Sequence, residues 1–194
     1  MNPLSKLLGK LSLTKSRINN YDNRSYRFVC VIDCILNQNT RDSGAAQFPG
    51  LNYQLVQLCH QYNVGIMQMP CPEIAFLGFT RSRPPGTSIR AALDTSDGRL
   101  CCRKLSIDVI DRVEEIISQG AEFLAVLGGN PESPGCAVHM NNDEQLTPSG
   151  VLITELKDEL HKRNIRVPIH GIRDFDEKLM AEDIQWLEQL FAES

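Results

Sequence analysis

The sequence has no CxxC pair, no apolar run long enough to span a bilayer and no excess of basic residues. Its 194 residues carry 20 lysines and arginines against 24 aspartates and glutamates, giving a formal net charge of -4. Without a basic field the composition favours neither a nucleic-acid partner nor an anionic membrane surface. The missing CxxC spacing argues against a zinc finger. We therefore expect neither nucleic acid nor membrane among its partners.

Basic charge is concentrated at the start of the chain. Up to Arg27 there are six lysines and arginines against Asp22 alone, and leucines at 4, 7, 8 and 11 have an amphipathic spacing. Lysines interrupt this stretch too often for a signal-peptide core or a spanning helix. We predict a basic N-terminal arm or surface helix over 1–26, one domain over 27–194 and a cytoplasmic location.

Seven cysteines, an odd number, are spread along the chain. A disulfide framework is not expected in a chain of this size without a signal peptide. Three interpretations stay open: buried packing cysteines, a reactive thiol, or a cluster that the fold assembles from distant positions.

Strand and helix signals alternate along the sequence. The pattern predicts strands over 27–33, 64–69, 122–129 and 165–172, and helices over 50–63, 105–121, 147–164 and 174–194. Thr147 and Pro148 have the residue types of an N-cap and a first helical turn, and residues 70–100 read as a loop. We predict a doubly wound α/β domain: a parallel, Rossmann-like sheet of four or more strands with helices on both faces.

Three cysteines follow predicted strands: Cys34, Cys71 and Cys136. Because the carboxyl ends of parallel strands meet at one edge of a sheet, these thiols can converge there. Pro70 and Pro72 stiffen the turn that presents Cys71 to a metal, and Gly135 lets the chain beside Cys136 approach a bulky ligand closely. Chance placement of three loop cysteines is the alternative. Of the other four, Cys30 and Cys59 are expected to pack in the core, and Cys101 and Cys102 are placed in the loop before a helix without an assigned role.

The segments DCILNQNTR, MPCPE and ESPGC occur in this order. Together they resemble the thiouracil desulfurase family, over roughly residues 27–172. The resemblance implies that Cys34, Cys71 and Cys136 bind a 4Fe-4S cluster with one iron not ligated by the protein. It also implies that Glu73 is a catalytic acid/base and that Ser133 contributes a hydroxyl to the catalytic site.

The expected reaction is the non-redox removal of sulfur from a small thiolated compound, such as a thiolated nucleobase, with release of sulfide. Two departures from the family indicate a divergent branch. Gly135 stands where the family commonly has a second serine, and IAFLGF follows MPCPE where the family tends to have glycines.

Several polar residues have two interpretations. Asn37 and Asn39 can bind the heterocycle of a substrate, or they can form a turn or helix cap. Arg81 and Arg83 can bind an anionic substrate, although loop arginines are more often solvated. Glu73 itself can cap the following helix or pair with Arg81. His139 and His170 are taken as structural.

Two other function classes remain open at this point. One is a metal-free enzyme with Cys71 as nucleophile and Glu73 as its neighbour. The other is a non-catalytic module that binds an iron-sulfur cluster or zinc.

Overall fold

A computed structural model describes residues 22–139 and 149–194. It contains a sheet of four parallel strands, β1 (Arg27–Ile32), β2 (Gly65–Met69), β3 (Glu122–Gly128) and β4 (Ile169–Gly171), in the order β2-β1-β3-β4. This confirms the predicted α/β class with a parallel sheet. The predicted basic arm falls mainly on residues 1–21, outside the described residues.

The two central strands are apolar on both faces because helices cover both sides of the sheet. Nearly every residue of β1 and β3 is buried, which is typical of parallel strands enclosed by crossover helices. Phe28 and Phe123 stack with their ring centroids 5.0 Å apart. Cys30 is fully buried in β1 and acts as a small apolar side chain, as predicted.

Helices connect the strands and lie on both faces of the sheet. They are α1 (Asp33–Leu36), α2 (Tyr53–Gln61), α3 (Pro72–Leu77), α4 (Ile89–Leu93), α5 (Ser96–Ser118), α6 (Val151–Lys162) and α7 (Glu177–Glu193). A 3₁₀ turn (Gln38–Thr40) follows α1. Helix α5 packs against α6, and α2 contacts α7. The helices are divided between the two faces of the sheet because its crossovers are right-handed. The chain moves in one direction from β1 to β2 and in the opposite direction from β2 to β3, so the connecting helices lie on opposite faces.

The prediction of a loop over residues 70–100 is wrong. This stretch contains α3 and α4, and α5 already begins at Ser96, where the Thr95 side chain accepts a hydrogen bond from the Gly98 N–H at 3.2 Å. The features at the start of α5 are the Thr95 cap and the close packing of Gly98 against α4. Neither feature appears in the sequence as a periodic pattern of apolar residues, so the prediction missed this helix start. Cys101 and Cys102 therefore lie on a helix. Cys102 is buried in a small apolar cluster with Leu93, Val151 and Leu152.

Two boundaries near the C-terminal half also differ from the prediction. Helix α6 begins at Val151 with Gly150 as its N-cap, and Thr147 and Pro148 lie outside the described residues. Strand β4 has only three residues, and α7 begins after Asp176, whose side chain accepts from the Leu179 N–H at 2.9 Å. Because α7 starts later than predicted, Asp174 belongs to the loop that follows β4.

The strand order creates a point at which successive connections diverge. The chain leaves β1 for β2 on one side and later places β3 on the other side of β1. In open parallel sheets, ligands bind at the carboxyl ends of the strands at such a point. Separately, none of the helices in residues 22–139 and 149–194 is long and apolar enough to cross a membrane.

Candidate functional site

The three strand-end cysteines come together at the carboxyl edge of the sheet. Cys34 lies in α1 directly after β1, Cys71 is the N-cap residue of α3 after β2, and Cys136 lies in the loop after β3. Each of the three thiols interacts electrostatically with the others. The fold thus brings together residues that are about 35 and 65 positions apart in the sequence.

Burial has the largest effect on the pKa values of these three thiols. It raises the pKa of Cys136 well above the ordinary value and the pKa of Cys34 to about 11. It also raises the pKa of Cys71, although the backbone N–H groups of Ile74 and Glu73 act in the opposite direction. All three are therefore mainly protonated near neutral pH, and a metal that binds them as thiolates must displace protons.

These donors suit an iron-sulfur cluster by their chemistry, because thiolates are its usual ligands. Within residues 22–139 and 149–194, no three Cys, His, Asp or Glu side chains are grouped so that they could hold one metal ion. The donors here are all thiols. Gly129 leaves room for one of them, since a Cβ at Gly129 would stand 2.7 Å from Cys136 Sγ.

Ser133 lies directly beside this thiol. Its Oγ is 3.1 Å from Cys136 Sγ. Backbone hydrogen bonds fix the loop: the Ser133 N–H donates to Asn130 O at 3.0 Å and the Gly129 N–H donates to Cys136 O at 2.7 Å. The serine hydroxyl is consequently held next to Cys136 by the turn that carries both residues.

Gly135 of the segment ESPGC packs against Pro72 of the segment MPCPE. A Cβ at this position would stand 2.6 Å from Pro72 Cγ and 3.6 Å from Glu73 Cγ. In the structure Gly135 closely approaches Pro72, and its approach to a bulky ligand stays a prediction. A serine at this position would force Pro72 to move.

Glu73 is buried next to this contact. Burial raises its pKa, while Arg81 and the backbone N–H of Gly135 act in the opposite direction. Arg81 Nε lies 3.3 Å from Glu73 Oε2. The pairing with Arg81 that the sequence left open is therefore present, and it places the carboxylate beside the cysteine loops.

Arg81 is buried, with 3% of its surface exposed. The interpretation of Arg81 as a solvated loop residue was wrong. Its side chain also donates to the carbonyl oxygens of Phe79 at 2.7 Å and Thr40 at 2.5 Å. Arg83 is exposed, as expected for a loop arginine, and donates to Thr87 O at 2.7 Å and Arg81 O at 2.8 Å.

Asn37 and Asn39 interact with each other. Asn37 Oδ1 accepts from the backbone N–H of Asn39 at 3.2 Å and from its side-chain amide at 3.0 Å. Both residues are exposed, and Asn37 caps the 3₁₀ turn. The turn role is thus present, and contact of either side chain with a substrate stays a prediction.

Sequence reasoning did not select Arg41 or Asp174 as site residues. Arg41 lies beside Cys34, where its positive charge lowers the thiol pKa against the larger effect of burial. Its guanidinium donates to Asp174 Oδ2 at 2.5 Å, and the carboxylate is fully buried. Asp174 follows β4, so the rule that selected the cysteines would have found it had it been applied to the fourth strand.

Gln38 stabilises the loop that follows Cys34. Its side chain is buried, donates to Cys34 O at 2.6 Å and accepts from the Gln47 N–H at 2.9 Å. A lone glutamine in a polar stretch carries no sequence signal for burial.

The two buried histidines differ in their contacts. His170 Nε2 is 2.8 Å from Asp183 Oδ1, and the His170 ring stacks on Trp186 at 4.2 Å. These contacts tie β4 to α7. His139 is buried, and its Nε2 makes no hydrogen bond within the described part of the chain.

Comparison with known proteins identifies an archaeal relative. The chain is 30% identical over 139 residues to the uncharacterized protein MJ0003 of Methanocaldococcus jannaschii, and the match covers 72% of this chain and 81% of that protein. The chain belongs to the same family as MJ0003. No family model and no solved structure matches the chain. These comparisons neither support nor oppose the resemblance to thiouracil desulfurases.

Proposed function

We propose that this protein of the MJ0003 family is an iron-sulfur-dependent, non-redox desulfurase that removes sulfur from a small thiolated compound. The supporting observation is the convergence of Cys34, Cys71 and Cys136 beside a buried carboxylate, Glu73, at the carboxyl edge of the sheet. Thiolates are the usual ligands of iron-sulfur clusters. The position also matches the place where ligands bind in doubly wound sheets.

In this proposal the three cysteines hold a 4Fe-4S cluster. When bound, such a cluster with three protein ligands supplies one open iron, a Lewis acid with affinity for soft thiocarbonyl sulfur. The flanking residues favour cluster binding, because Gly129 leaves space beside Cys136 and Gln38 secures the backbone of Cys34. The raised thiol pKa values predict that cluster binding releases protons.

The overall reaction is a hydrolysis. The oxygen of water forms a bond to the thiocarbonyl carbon, the carbon–sulfur bond breaks, and sulfur leaves as hydrogen sulfide or its anion. The two protons of water balance the released sulfide, and no atom is oxidised or reduced. A base is needed for the attacking water, and an acid is needed for the collapse of the addition product.

Glu73 is assigned both proton transfers. Its carboxylate side chain is 10% exposed and is oriented by Arg81 Nε at 3.3 Å. Burial and pairing give it a fixed position two residues from Cys71, as a general acid/base requires. Ser133 lines the same site from the Cys136 side, where its hydroxyl is available to a substrate heteroatom.

The contacts around the cysteines give less support to the two other function classes. A metal-free nucleophile needs an activated thiolate, but burial raises the pKa of Cys71. A non-catalytic cluster-binding module needs the three cysteines and leaves the buried carboxylate beside them with only its pairing to Arg81. We therefore retain desulfurization as the function that these contacts support best.

The test is anaerobic purification followed by iron, acid-labile sulfide and turnover assays on one preparation. We expect about four irons per chain and release of sulfide from at least one member of a panel of thiolated pyrimidines, purines and thioamides. Cys101→Ser is the matched control, because it removes a thiol from helix α5 and not from a strand-end loop. Iron-free protein after reconstitution would refute the cluster. Full iron with no sulfide release across the panel would favour the non-catalytic module.

A further inference from the structure

We propose that Arg81 is the positioning residue of this site, holding the Glu73 carboxylate and the segment Asn37–Arg41 in one fixed arrangement through three hydrogen bonds from a buried guanidinium. The proposal rests on the desulfurase function above and adds a residue that the three sequence motifs do not contain.

The three bonds reach three different parts of the chain. Nε faces Glu73 Oε2 in α3 at 3.3 Å, one terminal nitrogen donates to Phe79 O at 2.7 Å, and the other donates to Thr40 O at 2.5 Å. Thr40 is followed by Arg41, which lies beside Cys34. A single side chain therefore links the proposed acid/base to the loop that follows the first cysteine.

The backbone at Arg81 supports a specific role. Its φ is +48°, in the left-handed region that costs free energy for a residue with a side chain. The preceding turn begins at Gly78, whose φ of +76° closes α3. A buried arginine in an unfavourable conformation persists only where its contacts compensate. Two of the compensating contacts, those with Glu73 and Thr40, are with the proposed site.

A lysine at position 81 could not make the same set of hydrogen bonds. Guanidinium presents donors in a planar fork, whereas an ammonium group is a compact charge at the end of a flexible chain. Arg81→Lys keeps the charge next to Glu73 and loses the simultaneous bonds to Phe79 O and Thr40 O. The three cysteines lie in other parts of the strand-end loops, so cluster binding should survive this substitution.

The decisive experiment is a double-mutant cycle on the full-length, cluster-loaded protein. It compares the wild type, Arg81→Lys, Glu73→Gln and the combination, with iron content, kcat and KM measured on each preparation. We expect Arg81→Lys to retain iron and KM and to lose about 10-fold to 100-fold in kcat, the usual effect of a misplaced catalytic group. In the Glu73→Gln background the same substitution should change kcat by less than about threefold, because the two residues act as a unit.

Arg112→Lys is the matched control, since Arg112 is exposed and lies on α5. It should match the wild type in kcat. Should Arg81→Lys fail to fold, Arg81→Gln, which keeps a donor without a buried charge, is carried through the same measurements.

Amide hydrogen exchange supplies a readout that does not depend on turnover. The Thr40 and Arg41 amides donate to Asn37 O at 3.0 Å and Gln38 O at 3.1 Å. Arg81→Lys should raise their exchange at least several-fold and leave the amides of β1 and β3 unchanged. Arg112→Lys should leave both groups unchanged.

The outcomes separate the two proposals. A wild type that holds iron and releases no sulfide refutes the desulfurase function, and with it the catalytic part of this inference. An active wild type with unchanged kcat in Arg81→Lys, or equal losses from that substitution with and without Glu73, overturns the positioning role alone. Unchanged exchange at Thr40 and Arg41 overturns the anchoring of the loop.

Discussion

Gly135 packs against Pro72 so closely that a Cβ on the glycine would stand 2.6 Å from the proline Cγ. This contact joins the loop of Cys136 to the turn of Cys71, and it places the Gly135 N–H where it lowers the pKa of Glu73. Two motifs that are separate in the sequence therefore form one packed unit. The proposed acid/base and two of the proposed ligands depend on the absence of a single side chain.

Gly135→Ser should consequently disturb the site. The added side chain overlaps Pro72, and overpacking at a buried position costs about 1–3 kcal/mol. We expect a lower free energy of unfolding in urea and reduced iron content per chain. Gly50→Ser is the control, because a Cβ at Gly50 meets nothing within 4 Å. Wild-type stability together with full iron loading in Gly135→Ser would contradict the close contact.

The cysteine ligands can be tested one at a time. Cys34→Ala, Cys71→Ala and Cys136→Ala should each abolish iron retention, because a cluster with two protein thiolates is expected to be lost during purification. Cys30, Cys59 and Cys102 are buried in the core, and Cys101 lies on α5, so substitutions there should leave iron content unchanged. Full iron loading of Cys71→Ala would count heavily against the assignment.

Glu73→Gln separates catalysis from cluster binding. Glutamine keeps an oxygen that can accept from Arg81 and loses the ability to take up a proton. The variant should bind iron normally and lose turnover by roughly 10²-fold to 10⁴-fold, the usual contribution of a general acid/base. Sulfide release and iron are to be assayed on the same sample. Undiminished sulfide release with a small loss of stability would leave Glu73 with only its structural pairing to Arg81.

Asp183 should make the fold sensitive to acid. Burial acts to raise its pKa, but hydrogen bonds from His170 and Arg173 outweigh burial and hold the pKa below its usual range. A depressed folded-state pKa contributes stability that is complete above the unfolded pKa of about 3.9 and is lost as the pH falls through the folded value.

Asp183→Asn should therefore lower the free energy of unfolding at pH 7 by about 1.5–3 kcal/mol, the range for hydrogen bonds to a charged group. The difference from the wild type should shrink below about pH 4. Urea unfolding at several pH values measures this. Asp176→Asn is a suitable control, because asparagine also caps helices well. A difference that persists undiminished at pH 2 would show that the charge of Asp183 does not contribute.

Much of the framework was readable from local sequence. The apolar, β-branched stretches around Val29 and Val126 predict buried parallel strands, because such runs need helices on both sides of the sheet. The rule that ligands gather at strand ends then selects Cys34, Cys71 and Cys136. Parallel topology alone is enough to bring them to one edge, whatever the details of the loops.

The surroundings of these cysteines were decided by the tertiary structure. Arg81 reads as a solvated loop residue because its burial comes from Glu73 and from the Thr40 carbonyl 41 residues away. Arg41 and Asp174 pair across 133 residues, and no periodicity records such a contact. Gly135 reads as a point of close approach to a ligand, and its packing against Pro72 appears only in the folded chain. Sequence periodicity reports which face of an element is buried, and the pairing of polar groups between loops is fixed only when the strands that carry those loops are brought side by side.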